Sequence, residues 1–284
     1  MQIHFFVWAS IWLAQLSPSL PPSIPYAWTT AVDSTQFLER RIPTPVGYER
    51  LAVAENSFAH WLRFLPLKPG RPSVRLYNGQ LKSNQSAHHA LINIDVGKRD
   101  LQQCADAVMR LKAEYDYAAQ AYDRIKFRFT SGDEAAYTRW QAGYRPRING
   151  NTVNWVKTHA PSSSHASFRS YMDIVFSYAG TYSLARDLPA RSDNAPIQAG
   201  EIFIKGGFPG HAVIVIDVAV DSSSGERLFL LAQSYMPAQE MHILRNPNDP
   251  QLSPWYRSRP GPLTTPEWRF PAHSRKYFPD LLDQ

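Results

Sequence analysis

From Gly210 to Met236 the chain reads GHAVIVIDVAVDSSSGERLFLLAQSYM: an apolar run, a polar turn and a second apolar run. Runs of Val, Ile, Leu and Phe on either side of a Ser- and Gly-rich turn predict a strand, a hairpin and a return strand. Few other folds are open to such a segment. With the turn centred near Ser223 or Ser224, paired residues sum to about 447, within a residue or two, which sets Gln233 opposite Ile214 and His211 opposite Met236. Gln233 or Ser234 then reaches the ring of His211. Asp217 falls on the same face as His211 but lies roughly 20 Å away at about 3.3 Å per residue, too far to orient it.

The rest of the chain supplies helices for this sheet. In DLQQCADAVMRLKAEYDYAAQAY the apolar residues Leu101, Cys104, Val108, Leu111, Tyr115, Ala118 and Tyr122 recur every three or four positions, the period of an amphipathic helix. Asp100 and Gln103 have capping-box spacing, so the helix is expected to start at Leu101 and to place Cys104 at its fourth residue. A short helix is expected from Ser57 to Phe64, closed by Pro66. A second long helix is expected after Ser164, with Phe168, Tyr171, Val175 and Tyr178 on one face and Gly180 as its stop. SVRLYNGQL, ALINIDV, IKFRF and EIFIKGG read as strands, and NGN at 149–151 as a hairpin turn. The tail from Pro247 is rich in proline and aromatics and is expected to wrap the surface without regular elements. These readings give one α+β domain over residues 36–272, an antiparallel sheet against two main helices, with a tail over 273–284.

Residues 1–28 contain no Lys, Arg, Asp or Glu, and the apolar run from Ile3 to Leu16 has the length of a signal segment. Export to the periplasm or the medium is the expectation, with 1–28 as a leader. No later run approaches the roughly 20 apolar residues that span a bilayer. The formal charge of +6 comes from scattered Lys and Arg with no dense basic run, which argues against a nucleic-acid partner. His88-His89 has no metal-ligand spacing and reads as a surface loop, and neither a metal nor another cofactor is expected.

The single cysteine, Cys104, excludes an intrachain disulfide and leaves one thiol that is either buried or used. Near a helix start it feels the positive end of the dipole, but its apolar register is that of a core residue. His211 either caps a strand or acts as a base, and Gly206, Gly207 and Gly210 ahead of it leave room for a ligand to approach. Trp140, Tyr144 and Trp155 are candidate stacking surfaces.

The order of helix, EIFIKGG, GHAVIVIDVAV and return strand resembles the C-terminal half of the NlpC/P60 and papain-like cysteine hydrolases over residues 164–245. That resemblance implies a papain-like architecture with Gly200-Glu201 opening the first strand, His211 as general base and Gln233 as orienting group. It puts the nucleophile near Phe168 and Ser167, where there is no cysteine, so Ser167 and the distant Cys104 both stay open. Over about residues 36–270 the chain is also similar to domain of unknown function family 4846 of exported bacterial proteins, through DLQQCADAVMRLKAEY, FSYAGTYSLARDL, GGFPGHAVIVIDVA and LLAQSYMPAQEMHIL. That family implies no activity. Two functions remain: a cell-envelope amidase or peptidase using Cys104, His211 and Gln233, and a non-catalytic protein binding a peptide or cell-wall glycan. The binding residues expected for either are Gly206, Gly207, Gly210, Ser234, Trp140 and Trp155.

Overall fold

The computed structural model describes residues 20–281. Its centre is the hairpin foreseen above: β8 (His211–Val220) and β9 (Arg227–Gln233) pair antiparallel. Around them runs one antiparallel sheet in the order β14 (Arg275–Lys276), β7 (Ile202–Lys205), β8, β9, β10 (His242–Leu244), β2 (His88–Leu91). Two short strands extend it, β1 (Glu49–Arg50) on β8 and β11 (Tyr256–Arg257) on β9. Three two-stranded ribbons stand apart from that sheet: β3 (Lys126–Arg128) with β4 (Glu134–Ala136), β5 (Tyr144–Asn149) with β6 (Thr152–Lys157), and β12 (Leu263–Thr264) with β13 (Arg269–Phe270).

Six α-helices lie among the described residues: α1 (Leu38–Arg41), α2 (Phe58–Arg63), α3 (Cys104–Ala118), α4 (Tyr137–Gln141), α5 (His165–Tyr178) and α6 (Thr181–Asp187). α2 begins where Ser57 accepts the His60 amide, and α5 where Ser164 accepts the Ser167 amide. α2 and α3 pack directly on β8, whereas α5 packs chiefly on α3 and α4 and forms a second helical layer.

Both faces of β8 are covered, which is why its apolar run is unbroken by alternation. Ala212, Ile214, Ile216 and Ala219 join the large core under the helices. Val213, Val215 and Val218 join a second core with Phe203, Phe229, Leu231, Tyr256 and Phe270. Each Val, Leu, Ile or Phe among these taken from water stabilises the fold by roughly 1.5–3 kcal/mol. The segment expected to be irregular contributes Tyr256 and Phe270 to this second core. The tail instead adds β11 and β14 to the sheet and lays the β12–β13 ribbon over it, and β14 lies past the expected domain end at 272.

The register of the hairpin corrects the sequence reading. Val220 pairs with Arg227 and Asp217 with Leu230, but Val215 pairs with Leu231 and Ile214 with Ala232, so Ile216 is a bulge. The extra residue turns Asp217 to the helix side, away from His211's face, where Arg63 meets it at 3.0 Å and Arg50 at 3.2 Å. Gln233 moves by the same slip from opposite Ile214 to His211's face.

At the other end of the chain, most of the expected leader lies outside the described residues. Its last part does not: Tyr26 is buried against Trp61 and donates its hydroxyl to the Trp61 carbonyl at 2.9 Å. A boundary at residue 28 would therefore cut through the core. No helix among the described residues is long and apolar enough to cross a membrane.

Candidate functional site

β8 begins at His211 because the turn ahead of it is pinned to α6. A Cβ on Gly210 would lie 2.2 Å from Thr181 Oγ1, and one on Gly206 would lie 2.8 Å from Ala185 Cβ. Gly207 adopts φ 123°, which a side chain would strain. Gly206 and Gly210 are thus required by close packing, and the turn they build leaves Phe208 exposed at its tip.

His211 itself is 1% exposed. Its ring lies 4.8 Å from Tyr235, 5.2 Å from Trp268 and 5.6 Å from Phe270, in a wall supplied by the end of β9 and the β12–β13 ribbon. Burial pushes its pKa down to about 4, so the ring is neutral near pH 7. Its Nε2 sits 2.9 Å from Gln233 Oε1.

The protons in this cluster follow from its acceptors. His242 Nδ1 lies 2.9 Å from the Glu240 carbonyl, which accepts only, so Nδ1 carries the proton. Burial holds that ring neutral, with its pKa down at about 3, and its Nε2 is therefore bare. Gln233 Nε2 lies 3.4 Å from that bare nitrogen and 2.8 Å from Glu267 Oε2. Two acceptors at one end of the amide require the nitrogen there, so Gln233 Oε1 must face His211. His211 then donates from Nε2 and keeps an unprotonated Nδ1. Gln233, expected to orient this ring, is hydrogen-bonded to it.

Cys104 arrives from the opposite side of the sheet. α3 starts at Cys104, not at Leu101, because Asp106 Oδ2 accepts the Gln103 amide at 3.0 Å and makes Gln103 the cap. Asp100, the expected cap, is taken by the Ala238 amide at 2.7 Å. Cys104 is thus the first residue of the helix, where backbone N–H groups have no intrahelical partner. Ser234 fixes this start to the end of β9: its hydroxyl oxygen lies 2.9 Å from the Gln102 carbonyl and 2.8 Å from the Gln239 carbonyl.

The thiol is part-buried. Burial is the largest influence on its pKa, which is pushed up to about 11 with help from Asp106, while the amides of Ala212, Ala105 and Cys104 itself pull it back. Ala212 directly follows His211. The start of α3 therefore packs near the start of β8, with Cys104 on the helix side of the sheet and the His211 ring on the other. Gln102, two residues earlier, holds its Oε1 2.6 Å from Arg110 while its Nε2 is buried without a partner.

The other expected residues lie elsewhere. Ser167 accepts the Trp140 indole N–H at 3.0 Å in the first turn of α5, within the outer helical layer. Trp140 is buried under Arg145, 3.7 Å from its ring, and offers no stacking surface. Trp155 and Tyr144 do line a shallow groove with Arg139 on the β5–β6 ribbon, which is not hydrogen-bonded to the main sheet. Glu201 binds Arg275 at the far side of β7. His88 is a buried residue of β2, not a surface loop, with Nε2 3.1 Å from the Pro72 carbonyl. Among the described residues no cluster of three His, Cys, Asp or Glu side chains is arranged to hold a metal ion.

Sequence reasoning missed Tyr235, His242, Glu267, Trp268 and Lys82. Only Tyr235 carried a usable signal, as an aromatic two residues beyond Gln233 and so on the same face. The family described as domain of unknown function 4846 matches the chain over residues 38–276. No curated protein and no solved structure matches it.

Proposed function

Since the chain belongs to the family of domain of unknown function 4846, a membership that carries no activity, we propose from the site alone that it is a cysteine-hydrolase-like amidase or peptidase of papain-like architecture. Its substrate class is a peptide or a peptide-bearing cell-wall fragment, and the apolar N-terminal run argues for work at the cell envelope. The observation that carries the reading is the packing of α3, which starts at Cys104, on the strand that starts at His211: the backbone of Ala212, the residue after His211, helps to lower the thiol pKa, and the His211 ring keeps an unprotonated Nδ1.

With the thiol pushed up to about 11 and the imidazole down to about 4, the pair rests as neutral thiol and neutral imidazole. His211 Nδ1 takes the thiol proton as sulfur attacks the carbonyl carbon. The oxyanion forms against the unpaired N–H groups at the start of α3. The C–N bond breaks as the imidazolium returns its proton to the leaving amine, leaving a thioester on Cys104. Water, deprotonated by Nδ1, then attacks the thioester; the acid leaves and the thiolate recovers the proton.

A second reading has one observation in its favour. Phe208 and Met236, 89% and 68% exposed, stand on the two turns beside His211 and offer an apolar rim to a bound peptide without any chemistry. Iodoacetamide labelling of folded protein separates the two. Labelling of Cys104 at neutral pH that slows more than 10-fold in His211→Gln supports the hydrolase. A thiol that labels only in denaturant supports the binding protein.

A further inference from the structure

We propose that Glu267, anchored by Lys82, is a positioning residue that fixes which ring nitrogen of His211 acts as the base. The inference rests on the hydrolase reading for its consequence, but not for its geometry.

Glu267 sits at the tip of the β12–β13 ribbon, in a tight turn closed by the Thr265 amide on the Trp268 carbonyl at 2.8 Å. One carboxylate oxygen binds Lys82 and lies 3.3 Å from Asn84 Nδ2; the other accepts from Gln233 Nε2 at 2.8 Å. Lys82 is 6% exposed and lies over the Tyr235 ring at 5.4 Å, so the pair is held in an apolar setting. There the carboxylate attracts a donor strongly.

The Gln233 side chain has two orientations of nearly equal shape, and they have opposite consequences. With oxygen toward His211, the ring must donate from Nε2 and Nδ1 is left as the base. With nitrogen toward His211, the ring must accept at Nε2, its proton moves to Nδ1, and the base is lost. His242 Nε2 favours the first orientation only through a 3.4 Å contact. The charge-assisted bond to Glu267 is the stronger determinant, and Lys82 keeps that carboxylate in place. A ribbon 34 residues from Gln233 in sequence thereby sets the protonation pattern of the catalytic ring.

The test is the nitrogen spectrum of His211 in protein labelled with nitrogen-15 at histidine, with Cys104 alkylation by iodoacetamide as a second readout. Wild type should show one neutral form protonated at Nε2. Glu267→Leu combined with Lys82→Met removes both charges together, so the fold is not burdened with an unpaired buried ion. In that variant both neutral forms should appear, and alkylation at pH 7 should slow in step with the share protonated at Nδ1, about 2-fold where the two forms are equal. Glu267→Gln, which still offers an oxygen to Gln233, should restore most of both. A single form protonated at Nε2 in the double variant overturns the inference. Two forms, with alkylation that does not respond even to His211→Gln, uphold the positioning role and instead sink the hydrolase reading.

Discussion

β8 carries two titratable side chains, His211 at its start and Asp217 past its middle, and both are buried: 1% and 0% exposed. Their surroundings differ in what is left over. Asp217 is met by Arg63 at 3.0 Å, by Arg50 at 3.2 Å and by the Val218 amide at 3.0 Å. Every partner is charged or fixed backbone, and the one carboxylate oxygen without a hydrogen bond, Oδ2, faces the Arg50 guanidinium. His211 has one ring nitrogen committed to Gln233 and keeps the other unprotonated. A buried ionisable group marks a site when its valence is incomplete, and marks architecture when it is filled.

The largest effect that would break this contrast is at the filled end. Asp217→Ala leaves two guanidinium groups facing each other in the interior and should cost about 3–5 kcal/mol, read as a lower urea midpoint. A cost under about 1 kcal/mol would show that the pairing is not what holds the bulge. Next comes pH at the open end. The pKa of His211 is lowered to about 4 from the usual 6.5, so the folded state disfavours the charged ring. Stability from the neutral ring is therefore full above pH 6.5 and falls as pH drops toward 4, by roughly 3 kcal/mol. Asp116, raised by burial to about 6, works the other way: its contribution is present at low pH and fades as pH rises through 6. Comparing His211→Gln with wild type cancels the Asp116 effect, and the difference in slope between pH 6.5 and 4 belongs to His211. Equal slopes would mean that the ring is hydrated.

A smaller stability effect should accompany a large change in reactivity. At pH 7, His211→Gln should cost only about 1–2 kcal/mol, since one neutral hydrogen bond and part of a ring's packing are lost, yet slow Cys104 labelling by more than 10-fold. A variant that lost stability and reactivity in proportion would make His211 architecture after all.

The two ends also differ in how legible they were. The hairpin, its turn, α2 and α5 follow from local patterns: apolar period, N-cap serines and turn residues. The bulge at Ile216 has no local mark, because Ile216 is as good a strand residue as its neighbours; it is fixed by Asp217 turning to reach Arg50 and Arg63, both far away in sequence. Asp217 was therefore assigned to the wrong face, and the slip that placed Gln233 correctly went unseen. The start of α3 was misread for a similar reason, since Asp100 is drawn off by the amide of Ala238. Glu267 and Trp268 lie in a proline-rich tail whose strands are two residues long, too short for any alternation to show. What sequence could not supply in each case was a partner at long range.

The smallest predicted effect tests whether the filled end is over-filled. Arg50→Ala removes one of the two cations on Asp217 but leaves Arg63, which is more buried and reaches Leu51's carbonyl at 2.7 Å as well. Arg50 is 13% exposed at its side chain, and burial lowers its pKa, so its charge is held at some cost. Losing it should therefore lower stability by only about 1 kcal/mol in a urea titration. Asp217 keeps Arg63 and the Val218 amide, so the bulge should persist and Gln233 should stay in register with His211. Cys104 labelling is the sensitive check, because a one-residue slip would turn Gln233 to the other face. Unchanged labelling with a small loss of stability would mean that redundancy at one end of β8 protects geometry at the other; slowed labelling would mean that the two ends are a single unit.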